Sequence, residues 1–483
     1  RRMPDVLLEV AGSIAIIEGE VEHPGDERKA LDAALGRLEE GVGHIGVAVV
    51  YPKSLAEIDD FASLEQALNQ LELRFQVISF ANPRSSWVKG KVSTLAELLR
   101  RTAQELSSET AIEEAVEVMK GGVDVFLQKF RRQETVIHRV AKVLGMSPPE
   151  KEKEVPMYLE TAAQVGALTL LNALIFHEVL SAKRAEVEPL NSIEESLLAE
   201  ELTKIWRWVL EEIDYYPIFH LAEQILRELP STPETSETLK DLIKRAQRIT
   251  SNRLALRHDL MGRIYHRLLH HAKYLGTYYT SIPAAAILLG LALKPENWPD
   301  IEWEKVDSIV SKLNVVDLAC GTGTLLMAAA DVITENHIRA CFERGVEPKI
   351  RELQKALMER VIWGFDVLPS AIHLTASTLA MRAPDVEVEG MNLFSLPLGI
   401  VRRRPKLGSI DFLARTTVQT KDLFGAHAPA QRVGPAGEEE VSVNLPPLKV
   451  AVMNPPFTRS VGGNLLFGWL PTSQRSRLSR ELR

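Results

Sequence analysis

The sequence predicts an α/β chain whose largest part is a doubly wound, mostly parallel sheet. An all-helical domain precedes that sheet, and a small α/β module opens the chain. Three observations predict this. From about Asp259 onward, short apolar runs alternate with helical patterns. Between about Ser93 and His271, strand-type runs vanish and long amphipathic patterns take over. Over residues 1–80, strand and helix signals alternate again. The chain therefore divides into 1–85, 90–255 and 256–483.

In the first part, Val6-Leu7-Leu8 and Ile14-Ala15-Ile16-Ile17 are short apolar runs of strand type. Arg28–Leu38 carries helical spacing, Ile45–Val50 reads as a buried strand, and Phe75–Ile78 as a further strand. In the middle part, Thr94–Leu106, Ala111–Phe130 and Leu197–Ile213 are amphipathic helices. Pro148-Pro149 with Glu150–Glu154 is a polar break. Pro230-Ser231-Thr232-Pro233 is another, with Ser231 or Thr232 placed to cap the next helix. In the last part, Val315-Val316-Asp317 ends a strand and Thr324–Ile333 is a helix. Val361–Phe365 is a strand, Pro369–Met381 a helix, and Val450–Met453 a strand. The apolar stretches Ala162–Phe176 and Pro283–Leu293 are too short or too interrupted to span a bilayer, and both read as buried helices.

Composition narrows the class. The chain has 483 residues, 45% hydrophobic and 25% charged, which is ordinary for a soluble globular protein of two to four domains. A net charge of -8 gives no global basic signature, so any nucleic-acid surface is local. The two cysteines, Cys320 and Cys341, make no disulfide framework, and the expected location is the cytoplasm, with no membrane partner. Arg1-Arg2 precede the first methionine, Met3, and the basic stretch Gln474–Arg480 follows soon after the best motif. Both ends read as those of a fragment.

Two motifs carry chemistry. Asp317-Leu318-Ala319-Cys320-Gly321-Thr322-Gly323 links a strand to a helix. Its glycines permit a backbone that side chains resist and let a ligand approach the main chain. The turn lacks the third glycine of a dinucleotide fingerprint and the Lys-Ser/Thr of a phosphate loop. The next strand ends at Asp366, where a carboxylate suits two ribose hydroxyls or, alternatively, a helix N-cap. Upstream, Leu275-Gly276-Thr277-Tyr278-Tyr279-Thr280 brings an aromatic and a hydroxyl into a helix start. The second motif is Asn454-Pro455-Pro456-Phe457 after a strand. Two prolines fix the backbone and strip donors from the turn. The Asn454 side-chain oxygen and the Pro455 carbonyl then offer two acceptors to an amino group, and Phe457 offers a stacking face.

These residues, in this order, resemble the gamma class of S-adenosylmethionine-dependent DNA adenine-N6 methyltransferases. The helical segment before them resembles modification subunits of type I restriction systems and single-chain type IIG enzymes. The resemblance covers roughly residues 255–460 and implies a Rossmann-like methyltransferase fold. It implies that Tyr279, Thr280, Asp317, Ala319, Gly321, Gly323 and Asp366 bind S-adenosyl-L-methionine, and that Asn454, Pro455, Pro456 and Phe457 hold the adenine. The family often has Pro and Ser where this chain has Leu318 and Thr322. For the residue that contacts the cofactor's adenine amino group, Asn392 and Asp411 are both candidates. The implied partners are double-stranded DNA and either a specificity subunit or a C-terminal target-recognition domain. In the family, more strands and that domain follow Asn-Pro-Pro-Phe.

Pro4-Asp5 before a strand and Glu18-Gly19-Glu20 at the end of one resemble the PD-(D/E)xK nuclease core. That resemblance implies Mg2+ held by Asp5 and Glu18, with Glu20 standing where the family has lysine and acting as a base or a further metal ligand. His266, His270 and His271 share a helix without a third metal ligand, so a solvated or DNA-facing cluster is expected. Arg131-Arg132 and Lys183-Arg184 read as solvated helix faces. The leading functional expectation is adenine-N6 methylation of DNA within a restriction–modification or phage-defence enzyme. The alternatives are a protein glutamine-amide methyltransferase and a DNA-binding fragment without turnover.

Overall fold

A computed structural model of the chain describes residues 4–10, 13–79, 85–106, 110–146, 148–149, 152–193, 198–213, 216–251, 280–380, 382, 386, 388, 390–401, 404–414, 417–421, 440–455 and 472–481. The chain is α/β, as the alternating patterns predict.

The first five strands are β1 (Val6–Val10), β2 (Ser13–Val21), β3 (Ile45–Tyr51), β4 (Leu73–Ser79) and β5 (Val88–Gly90), hydrogen-bonded in sequence order. Only β2 and β3 run parallel, because helix α1 (Asp26–Glu39) carries the chain back between them. The continuous apolar run predicted for β3 is realised: its first six residues are buried. Helix α2 (Phe61–Gln70) starts at Asp60, whose side chain accepts from the Ser63 amide.

The middle of the chain is helical: α3 (Val92–Leu106), α4 (Thr110–Phe130), α5 (Glu134–Val143), α6 (Val155–Ser181), α7 (Leu198–Glu212), α8 (Tyr216–Glu228) and α9 (Pro233–Ser251). Of the two capping candidates before α9, Thr232 is the one that bonds: its Oγ1 accepts from the Thr235 amide at 3.3 Å. Pro233 then opens the helix, where its missing donor is not needed. Among the described residues, Glu152–Ser181 is long and apolar enough to cross a membrane, yet 83% of its apolar window is buried inside the protein. Its buried His177 is matched within the core. His177 donates from Nε2 to the Glu188 carbonyl at 2.7 Å and accepts the Trp206 indole N–H at 3.0 Å.

A second sheet follows. Helix α10 (Ile282–Ala292) and the short α11 (Val306–Lys312) lead into β6 (Val315–Asp317), then α12 (Thr324–Arg344) and α13 (Ile350–Ala356). After a π-turn come β7 (Ile362–Asp366), α14 (Pro369–Ala380), β8 (Asn392–Ser395), the hairpin β9 (Leu398–Val401) and β10 (Arg404–Leu407), and α15 (Asp411–Ala414). Strands β11 (Thr417–Lys421), β12 (Glu440–Asn444) and β13 (Val450–Val452), then α16 (Thr472–Glu481), complete the described elements. The strand order is β12-β11-β8-β7-β6-β13. Strands β8, β7, β6 and β13 are parallel, while β11 and β12 add antiparallel pairings at one side.

One expectation fails at α10. The apolar stretch predicts a buried helix, but only one face packs inward: Ala285 and Leu289 are buried, whereas Ile287 and Leu291 are 65% and 60% exposed. Helix α3 packs Leu95, Leu99 and Ala103 on the first sheet, whereas helices α4 to α9 and the second sheet share one continuous apolar core, and Asn172 of α6 approaches His373 of α14 at 3.3 Å. A smaller apolar seam joins Ile14, Ile16 and Val42 of the first sheet region to Ile338 and Ile350 of α12 and α13. Glu9 and Arg339 close it with an ion pair at 2.6 Å.

Candidate active site

The register of β13, β6 and β7 assembles the site. Val452 lies opposite Asp317, and Asp317 opposite Gly364. Because these strands are parallel, the turns that leave them emerge at one sheet edge, where ligands of open α/β sheets bind. The glycine turn leaves β6, Asp366 ends β7, and Asn454 lies just beyond β13.

Glycines shape the turn after β6. Gly321 has φ 56° and Gly323 has φ 85°, both in the left-handed region where side chains are strained. A Cβ on Gly323 would stand 2.9 Å from the Thr375 methyl, so α14 packs directly on this turn. A Cβ on Gly321 would meet nothing within 4 Å, which leaves open space beside the main chain. Thr375 donates to the Gly321 carbonyl at 3.0 Å, and the Cys320 amide donates to the Phe365 carbonyl at 2.9 Å.

Two carboxylates organise the same turn. Asp317, only 1% exposed, accepts from the Ala319 amide at 3.0 Å. Asp366, half-buried, accepts from the amides of Gly321 and Leu368, each at 3.0 Å. The Leu368 bond is a local contact two residues along the chain, and since the next helix begins at Pro369, Asp366 lies before its N-cap position; the Gly321 bond ties β7 to the glycine turn. A carboxylate has about four lone-pair sites, so acceptor capacity remains on both groups. Burial pushes Asp317 up to about 7; the Ala319 amide opposes this and the nearby Asp366 charge adds to it. Burial also raises Asp366, against the pull of the Leu368, Gly321 and Val367 amides. Among the described residues neither forms an ion pair. The Cys320 thiol is raised well above its usual range, by burial first and then by both carboxylates.

Asn454 reaches the segment just before α10. Its Nδ2 donates to the Thr280 hydroxyl at 3.2 Å, across 174 residues of sequence. With the nitrogen so engaged, its Oδ1 is left as an acceptor. Asn454 is half-buried and Pro455 exposed, so the turn meets solvent.

The structure thus brings together Thr280, Asp317, Ala319, Gly321, Gly323, Asp366, Asn454 and Pro455. Tyr279, Pro456 and Phe457 lie outside the described residues, as do His266, His270 and His271. Asn392 is a correction. It starts β8 opposite Trp363, at the far end of the sheet, and its amide donates to the Glu359 carbonyl at 2.8 Å. The other candidate, Asp411, is better placed. It accepts from the Leu407 amide at 3.0 Å, while the adjoining Ser409 hydroxyl bonds to the Leu318 carbonyl of the glycine turn. Phe412 packs edge-on against Phe365 at 5.1 Å. Of the metal set Asp5, Glu18 and Glu20, the structure pairs Glu18 with Arg37 and Glu20 with Lys29, and among the described residues no group of three or more His, Cys, Asp or Glu side chains is arranged to hold a metal.

Sequence reasoning missed the residues that let these parts close. A Cβ on Gly364 would lie 2.6 Å from Leu393 and 2.9 Å from Leu326, and a Cβ on Gly408, at φ 64°, would lie 2.7 Å from Val367. A glycine inside a strand pattern is the signal that points to such an approach.

No family model and no curated protein matches this chain. Among solved structures it is similar to the protein in a cryo-electron microscopy structure of a DrdV–DNA complex, at 11% identity and a TM-score of 0.39. The likeness covers 82% of this chain and 35% of that one, so this chain spans about a third of that protein's length.

Proposed function

We propose that this chain transfers a methyl group from S-adenosylmethionine to the N6 amino group of adenine in DNA, within a restriction–modification or phage-defence enzyme. One observation carries the reading: Asn454 is bonded to Thr280 at the same sheet edge from which the glycine turn and Asp366 emerge. The donor set fits the cofactor. Among the described residues Asp317 and Asp366 are acids without an ion pair, facing a glycine turn with open space beside Gly321. S-adenosylmethionine, which carries an ammonium and a sulfonium, supplies the methyl group. Asp317, Ala319, Gly321 and Gly323 are the residues to hold its amino-acid end, and Asp366 its ribose hydroxyls. Asp411 takes the place of Asn392 as the residue for its adenine amino group.

Thr280 anchors the Asn454 nitrogen, so Oδ1 accepts from the exocyclic amino group of the target base. The Pro455 carbonyl accepts the second N–H. Two acceptors draw the amino nitrogen out of conjugation with its ring and aim its lone pair, so rate comes from positioning and electrostatics. A paired base cannot reach such a turn, so the target adenine must leave the duplex stack.

The test is transfer of labelled methyl from S-adenosylmethionine to mixed genomic DNA by the product of the full gene, followed by nucleoside analysis. Label in N6-methyladenine is expected. Asn454→Ala should lower the rate by at least roughly 10²–10³-fold, as loss of an oriented polar group does, with cofactor binding retained. Label in added protein instead of DNA would replace this reading with glutamine-amide methylation. Cofactor binding without transfer to either would leave a DNA-binding fragment.

A further inference from the structure

We infer that the acidic cluster of the N-terminal sheet is neutralised by the protein's own cations, holds no divalent metal, and does not hydrolyse phosphodiesters. The PD-(D/E)xK resemblance calls for an acidic set whose countercharge is Mg2+, and here two of the three carboxylates already have a cation of the protein's own. The Glu18 Oε1 pairs with the Arg37 Nε at 3.1 Å, and the two side chains are only 12% and 11% exposed. Arg37 is held from its other side by Glu40 at 3.3 Å. The Glu20 Oε1 pairs with the Lys29 Nζ at 2.6 Å. The Asp5 Oδ2 accepts from the Gly19 amide at 2.8 Å, which fixes this carboxylate against the backbone of β2.

The sequence explains the arrangement. Helix α1 crosses from β2 to β3 and carries Lys29 and Arg37 eight residues apart. That spacing is close to two turns, so both cations stand on one helix face, and both pair with carboxylates of β2. Where the family has a lysine, Glu20 adds a third negative charge, and Lys29 answers it from the helix. A metal taking the Glu18 Oε1 competes with a nearly buried guanidinium, which would then keep only Glu40. The cluster is therefore an ion-pair lock between β2 and α1.

The test uses the full-length protein with Mn2+ alone as the probe. Free Mn2+ is followed by electron paramagnetic resonance for wild type, Asp5→Asn and Glu20→Gln; both positions are accessible enough for these variants to fold. Superimposable titrations are expected, including the case in which ions bind elsewhere. Supercoiled plasmid should stay intact with Mn2+ or Mg2+. A saturable Mn2+ site lost in both variants would overturn the inference. So would plasmid nicking by wild type that either variant abolishes.

Discussion

The two sheets of this protein treat their carboxylates in opposite ways. In the first, Glu18 and Glu20 meet Arg37 and Lys29 across α1. Burial still raises Glu18, but the hydrogen bond and charge of Arg37 pull the other way. In the second, Asp317 and Asp366 are opposed only by backbone amides, and both rise. The first set has its countercharge within the fold. Among the described residues the second has none, and its glycine turn leaves room beside Gly321 for a ligand to bring one. A buried acid without a cation is a costly arrangement for stability alone, and such groups concentrate at functional sites.

The comparison breaks most visibly at Arg37. Arg37→Ala leaves Glu18 nearly buried without its cation and should destabilise the protein by about 3 kcal/mol, read from urea unfolding. An unchanged midpoint would mean that Glu18 does not need its partner. Next comes Asp317→Asn, which keeps an acceptor for the Ala319 amide but removes the charge. It should weaken S-adenosylmethionine at least tenfold, about 1.4 kcal/mol, by calorimetry. The same variant should melt no lower than wild type at pH 8. A carboxyl raised in the folded state makes stability fall as pH climbs from its ordinary value near 3.8 through about 7, and asparagine removes that loss. A lower melting point would make Asp317 structural.

The pH dependence of binding sharpens the contrast further. A cationic ligand needs Asp317 ionised, so affinity should be flat above about pH 7 and decline below it, by up to tenfold per pH unit. Proton release on binding, read by calorimetry in buffers of different ionisation heat, checks this. Pairing Lys29 with Glu20 should matter least. Both ends reach solvent, so Lys29→Ala should leave the melting temperature unchanged within error.

The strands and helices were legible where periodicity is strong. The apolar runs at Ile45–Val50 and Val315-Val316-Asp317 and the amphipathic Ala111–Phe130 lie where the patterns place them. Strands β8 to β12 were not, because Asn392–Ser395 and Arg404–Leu407 are too short to show a period of two. The exposed face of α10 was hidden too, since Ile282–Ala292 is apolar all round and gives no hint of which side packs. At the candidate site, residue types singled out the glycine turn, Asp366 and Asn454, and the structure places all three at one sheet edge. The bond from Asn454 to Thr280 depends on register across the sheet, which no local pattern encodes. Asn392 misled for the same reason: its neighbours Leu393 and Phe394 mark a strand but not which end of it faces the turn.

Helix α12 begins at the glycine turn and, near its other end, presents Ile338 to the isoleucines of β2. A shortened protein beginning after Leu106, without the first sheet and the α3 that packs on it, would lay Ile338 and Ile350 bare on the surface and strand Arg339 without Glu9. Such a version should self-associate, and the disturbance would start on the helix whose first turn frames the ligand. Polar residues at positions 338 and 350 are therefore the changes needed to prepare the second sheet as a soluble, independent unit.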